Sequence, residues 1–498
     1  LQHRLTGLLS ETAIYGTSSL LGRLLNYLLV PYYTSVFVPG EYGTVTEFYA
    51  YAAFLNVLYT YGLETAYFRF ATKEREREHE IFCVTTSSLL LTSVLLSGVL
   101  IAVSNPLIEA IGYPGQGHYI RWFAALLAID AFVAIPFARL RLEKKAAHFA
   151  LSRIGNILIN IGLNLFFLSL CPAVLEGRML PALQSSIAPW YDANDRVGYV
   201  FLSNLIANAC FLPMLWPVLR QFRWSADWGF MRRTVLPYSF PILITGLAWV
   251  TDEMLSRWAL RYWLPDNFYL DTTSEEALGI FGAVYKFSVF MTLGVQAFRY
   301  AAEPFFFSKA ADKDSPETFA RVNHYFVIVA SAVFLGVSLN LDLLKYLLRN
   351  PDYWAGLSVV PVLLLANLFL GVYYNFSIWY KLTDRTYVGT WITVGGALLT
   401  IVLNFFLIPV AGYQGSSYVT LLCYFLMAAS CYLLGQKHYP IPYTIIKDGA
   451  LLLLAIGLLA LSAQFTFPGL WLSAIVHNGV LVAYLGLAFW LSRDPHEA

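Results

Sequence analysis

Apolar runs of about 20 residues, each long enough to cross a ~30 Å hydrocarbon core, recur from one end of this chain to the other. Fourteen such spans can be drawn, at roughly 12–37, 42–70, 81–103, 119–138, 151–170, 199–219, 235–262, 278–307, 322–340, 357–380, 388–409, 416–435, 448–463 and 471–491. They are continuous rather than alternating, and in lipid a continuous apolar run must satisfy its own backbone by forming a helix. The pattern therefore predicts an all-α polytopic membrane protein and excludes an outer-membrane barrel. Only 13% of the 498 residues are charged, against about 25% in soluble domains, so no soluble domain is left over.

Basic loop residues set the orientation. With the N-terminus inside, twenty fall in inner loops, among them Lys73, Arg75, Arg77, Arg139, Arg141, Lys144, Lys145, Arg220, Arg223, Arg232 and Arg233. Outer loops hold four, Arg178, Arg196, Lys345 and Arg349, and collect the acids Asp266, Asp271, Glu275 and Glu276. Both termini are expected in the cytoplasm. The first segment carries Arg23 at its centre and no small-residue cleavage site, so it reads as a mature span and not a signal peptide.

A six-span repeat is visible when 41–73 is laid on 277–309: Gly43/Gly279, Tyr49/Tyr285, Phe54/Phe290, Ala66/Ala302, Phe70/Phe306 and Lys73/Lys309 coincide. An even unit repeats in the same orientation, as in parallel-repeat transporters. The expected organisation is an N-lobe of six spans over 1–222, a C-lobe of six over 223–436, and an appended pair over 437–498, with the basic stretch Arg220 to Arg233 as the inter-lobe linker.

Several function classes fall away. The 32 basic residues barely exceed the 31 acidic ones, so the positive excess that binds nucleic acid is missing. Five cysteines, none in a C-x-x-C pair, point to neither a disulfide framework nor a zinc site. There is no P-loop and no metalloprotease-type histidine pair. No cofactor is implied, and uphill work would draw on an H+ or Na+ gradient or on the substrate's own gradient. Asp312 and Asp314 form a lone D-x-D in a charged inner loop, and the longest outer loop, 171–198, is short for a catalytic domain. The chain does not read as an enzyme.

Charges at membrane depth cost roughly 2.5–3.5 kcal/mol each on insertion scales, so they mark a bundle interior or a watery cavity. At 1.5 Å per residue Arg23 lies about 16 Å into the first span, sharing a face with Asn26. Substrate contact and a salt bridge to Glu47 or Glu64 both account for it. The seventh span carries Asp252, Glu253, Arg257 and Arg261, of which the two arginines lie near the outer end, where snorkelling to the interface is expected ahead of the alternative, a substrate-binding role. In the eighth span, Lys286 is about 12 Å deep, where ligand binding and an ion pair with the acids of the seventh compete; Arg299 and Glu303 form an i, i+4 pair. Asp130 is an isolated acid midway along the fourth span, suited to a proton or sodium relay along with Asp252, Glu253 and Glu64. Ser152, Asn156, Asn160 and Asn164 make a polar stripe on the fifth span, which Asn204 and Asn208 join from the sixth. Interhelical hydrogen bonding and cavity lining both explain the stripe. Prolines 31, 136, 213, 217, 241, 304 and 361 lie inside spans as kinks or hinges.

The run SETAIYGTSSLLGRLLNYLLVPYYT (Ser10 to Thr34), the EYG at Glu41 to Gly43 and the YGLETAYFRF at Tyr61 to Phe70 resemble the multidrug/oligosaccharidyl-lipid/polysaccharide (MOP) exporter superfamily, and within it the bacterial O-antigen and exopolysaccharide flippases. The resemblance implies two six-helix bundles around a central cavity lined by spans 1, 2, 7 and 8, alternating access, and cationic residues that hold a lipid-linked pyrophosphate. Arg23 matches the family's first-helix arginine, and Lys286 and Arg299 the eighth-helix cations approximately. The second span offers Glu47 and Glu64 with only Arg69, which departs from the peptidoglycan-precursor flippases. The expectation is an inner-membrane flippase for undecaprenyl-pyrophosphate-linked oligosaccharide, in contact with membrane lipids and a polysaccharide polymerase machinery. The alternatives are a cation-coupled multidrug antiporter and, from another class, a membrane glycan polymerase or ligase.

Overall fold

The computed structural model describes residues 24–25, 27–310, 312, 314–465 and 469–492. Among them regular structure is helical, and the one β pairing is an isolated bridge between Tyr269 and Thr272. Eleven helices among the described residues are long and apolar enough to cross a bilayer; the chain is a multi-pass, all-α membrane protein. Its main helices are α1 Leu29–Val36, α2 Pro39–Thr60, α3 Leu63–Lys73, α4 Glu78–Ala102, α5 Gly117–Leu142, α6 Ala146–Leu165, α7 Arg196–Ala209, α8 Leu236–Trp263, α9 Ser274–Tyr285, α10 Val289–Lys309, α11 Ser315–Leu339, α12 Val360–Phe376, α13 Thr386–His438, α14 Ile445–Ser462 and α15 Leu470–Ser492.

Five predicted spans are built differently from the expectation. The second divides into α2 and α3 because Tyr61 and Gly62 take positive φ, 32° and 75°. At Gly62 a Cβ would lie 3.0 Å from the Ser239 carbonyl and from Ile242, so the close approach and the backbone both require glycine there. The sixth ends at Ala209, and Pro213 and Pro217 sit in single helical turns beyond it, as residues without a backbone N–H would. The eighth is interrupted by a 3₁₀ turn, Lys286–Ser288, between α9 and α10. The eleventh and twelfth are joined without a loop in α13, where Gly412 (φ 54°, ψ −138°) turns the chain.

The chain divides into two compact units, Glu47–Val250 with the described residues up to Leu29, and Val30–Thr46 with Thr251 onward. In the first, α3, α4 and α5 enclose a core of Leu63, Tyr67, Phe82 and Phe137, closed by Phe211 and Leu215 from the turns after α7. In the second, α12 lies against α11 and α13. The repeat partners Gly43 and Gly279 face each other inside this second unit. A side chain on Gly43 would collide with the Glu275 carbonyl, and one on Gly279 with the Pro39 carbonyl. Helix α9 starts from a capping box, the Glu276 N–H donating to Thr273 Oγ1 (3.2 Å) and the Thr273 N–H to Glu276 Oε2 (2.7 Å). That gives an outer-loop acid of the sequence a definite structural task.

Candidate membrane-buried charge sites

In the second unit, α8 brings Asp252, Glu253 and Arg257 within two turns. Asp252 is 4% exposed and packs on α13, where Thr400 Oγ1 donates to its Oδ1 at 3.0 Å. Gly396, one turn earlier, allows that approach, since a Cβ there would lie 3.3 Å from Asp252 Oδ2. This Oδ2, like Glu253 Oε2, is buried without a hydrogen-bond partner. Desolvating a carboxylate oxygen with no donor is costly, so the pair of acids is a place where a proton or a cation would be stabilising.

Arg257 follows one turn later, and it does not snorkel: it is 8% exposed, with its guanidinium 4.4 Å from the centre of the Tyr285 ring. Contact with a ring face holds the cation inward. Tyr285 closes α9, and the next residue, Lys286, sits where the helix loosens into the 3₁₀ turn. Lys286 is exposed although it belongs to the middle of a membrane span, and it interacts electrostatically with Arg257 and Glu253. Among the described residues neither Lys286 nor Arg257 has a carboxylate within ion-pair distance. Two cations at depth, neither paired with a carboxylate among the described residues, make an arrangement with capacity for an anion.

The other charges are engaged. Arg261 pairs with Glu275 and donates to Ser274 Oγ at 3.0 Å, which anchors it to α9 and replaces the expected snorkel. Arg299 reaches Glu303 at 3.7 Å and covers Tyr374 at 4.7 Å, while Lys381 takes the same Glu303. Glu64, considered for ion coupling, is paired with Arg141. Glu47 is fully buried and accepts from the Tyr51 and Tyr113 hydroxyls at 2.7 and 2.6 Å. Arg23 and Asn26 lie outside the described residues.

In the first unit the polar stripe has a centre. Asn208 donates to Asp130 Oδ1 at 2.8 Å and accepts from Asn156 at 2.9 Å, so α5, α6 and α7 are tied by one amide. Asn204 donates to the Tyr49 hydroxyl of α2 at 2.9 Å. Asn164 turns back on its own helix, donating to Asn160 at its carbonyl (2.8 Å) and Oδ1 (3.1 Å). The sequence reading finds no cation near Asp130 because it looks along one helix. The structure supplies Arg153 from α6, which interacts with Asp130 electrostatically and lies 4.2 Å from the Phe137 ring centre. Its spacing of three from Asn156 on the striped helix is the signal that was there to be read.

Residues 8–175 match the family model described as polysaccharide biosynthesis protein. No curated protein gives a significant match to the sequence. The chain superposes on the lipid II flippase MurJ in an inward closed conformation with a TM-score of 0.70 at 13% identity, covering 96% of this chain and 98% of that one. An inward-facing multidrug resistance MATE family transporter of the MOP superfamily gives 0.64 at 12% identity over 83% and 94%. An outward-facing one gives 0.57 at 13% identity over 86% and 94%. Identities this low establish a common fold.

Proposed function

Since this chain has the fold of the MOP-superfamily transporters, with a polysaccharide biosynthesis family match over residues 8–175, we propose that it is a flippase. Its cargo on this reading is a polyprenyl-pyrophosphate-linked oligosaccharide, carried by alternating access from the cytoplasmic to the periplasmic leaflet of a bacterial inner membrane. The observation that carries the reading is the Arg257 and Lys286 pair, two membrane-depth cations without an ion-pair partner among the described residues. A diphosphate would meet both through charge-assisted hydrogen bonds, the guanidinium offering two parallel N–H groups. Arg299, already held by Glu303 and Tyr374, is placed second to them. Arg23 and Asn26 join the site by the family resemblance alone. A polymerase machinery would receive the exported head group.

Asp252 is the favoured coupling group. Its unpartnered buried Oδ2 beside the Thr400 hydroxyl suits H+ or Na+, and binding either would remove the cost of the desolvated oxygen. Asp130, already hydrogen-bonded to Asn208 and facing Arg153, is better suited to holding the first unit together. The same unpartnered oxygens on Asp252 and Glu253 favour a second reading, a cation-coupled antiporter for cationic compounds. Reconstitution separates the two. In liposomes holding a fluorescent lipid-pyrophosphate oligosaccharide, leaflet exchange is read with an impermeant reagent. Wild type should exchange the lipid, and Lys286→Ala and Arg257→Gln should each slow it by roughly 10–100-fold, the worth of one charged hydrogen bond. Exchange unaffected in both variants would discard the anion site. No exchange by folded wild type, together with uptake of a cationic dye against a proton gradient, would establish the antiporter.

A further inference from the structure

The stretch between α7 and α8 has no role in the transport reading, yet its surface is unlike the rest of the chain. Leu215, Val218, Met231 and Val235 are buried in the core of the first unit. Between and beside them Trp216, Trp224 and Trp228 stand 63%, 55% and 42% exposed. Arg220, Arg223, Arg232 and Arg233 are exposed as well. The segment is held in place from within: the Ser225 N–H donates to Ser87 Oγ at 3.0 Å in the N-terminal half of α4, and the Phe222 ring rests on Phe132 with centres 6.2 Å apart. It is thus a fixed surface presenting three indoles and four guanidinium groups.

Three acids at this end of the unit, Glu74, Glu78 and Glu80, are taken by other partners. Glu74 and Glu80 both bind Arg77 at 2.9 Å, Glu78 lies 3.3 Å from Arg139, and Arg77 itself covers Phe230 at 5.1 Å. The segment's own acid, Asp227, accepts from the Phe230 N–H at 3.0 Å and caps the turn that begins there. Among the described residues none of the four arginines has an ion-pair partner. Indoles settle at the level of lipid head groups, and guanidinium groups beside them then lie at the depth of the phosphates. Unneutralised arginine clusters next to a membrane span attract anionic lipid.

We propose that this Trp216 to Arg233 surface is a binding site for anionic phospholipid head groups of the leaflet it faces, which the distribution of basic residues marks as the cytoplasmic one. Bidentate phosphate contacts from the arginines select lipids with net negative charge over zwitterionic ones, and the tryptophans set the depth. The site is independent of the cargo, so its test requires no transport. The purified full-length protein is incubated in mixed micelles containing equal phosphatidylglycerol and phosphatidylcholine, and the lipid retained after gel filtration is counted by mass spectrometry. Wild type should retain phosphatidylglycerol preferentially, and the preference should shrink as salt is raised. Arg220→Gln with Arg223→Gln, Arg232→Gln with Arg233→Gln, and the fourfold variant should lose it stepwise, by roughly fivefold per arginine. The fourfold lysine variant, which keeps the charge, should hold most of it. Equal retention of the two lipids by wild type, or a fourfold glutamine variant that elutes as folded protein with its preference intact, would overturn the site. Should the fourfold glutamine variant fail to fold, the two double variants and the salt dependence of wild type decide the matter.

Discussion

Asn208 shows how much one amide can do at membrane depth. It donates to Asp130 and accepts from Asn156, so its loss would leave groups on two neighbouring helices without a partner. Hydrogen bonds between membrane helices are worth about 0.6 kcal/mol on average and at most about 1.7. Asn208→Ala should therefore destabilise the protein by about 1 kcal/mol or more, a loss that thermal unfolding in detergent measures. An unchanged melting temperature would mean that the stripe does not act through its interhelical bonds. Asp252 supports a second residue-scale expectation. Asp252→Asn keeps an acceptor for Thr400 but removes the negative charge, so transport should persist without its response to an imposed proton or sodium gradient.

At the scale of elements, the breaks in the helices carry as much information as the helices. Gly43 and Gly279 bring α2 and α9 so close that each glycine abuts a backbone carbonyl of the other segment, and carbonyls cannot rotate aside as side chains do. Gly43→Ala and Gly279→Ala should each cost about 2–3 kcal/mol, the upper range for overpacking. Gly294→Ala on α10, where a Cβ meets nothing within 4 Å, should be neutral or stabilising by up to about 1 kcal/mol. Thermal melts of the three variants side by side check both statements. The Thr273 cap of α9 gives a smaller figure: Thr273→Ala should lose about 1 kcal/mol, because the Glu276 N–H would be left without its acceptor.

For the whole molecule the sharpest expectation concerns orientation. Leu270 is 92% exposed between α8 and α9, and Arg220 is exposed between α7 and α8. Of the five native cysteines four are buried and the fifth, Cys210, is half-buried, so the background for labelling is low. In intact cells an impermeant maleimide should modify a cysteine placed at Leu270 and leave one at Arg220 untouched until the membrane is opened. The reverse pattern would invert the topology and with it the proposed direction of transport.

Hydrophobicity and charge alone determined the all-helical membrane fold, because a bilayer penalises every unsatisfied backbone group and every stray charge in the same way wherever it occurs along the chain. They also marked the charges at depth, since Asp130, Asp252, Arg257 and Lys286 stand out against their apolar neighbours. Partnership was another matter. That Arg257 lies inward against Tyr285, that Glu64 is neutralised by Arg141, and that Arg153 faces Asp130 depend on which helix packs beside which. Spacing along one helix says nothing about the charge supplied by its neighbour, and an ion pair or a ring contact forms or fails over a few ångströms. Tertiary structure therefore decided which of the described charges at depth are neutralised and which have no ion-pair partner.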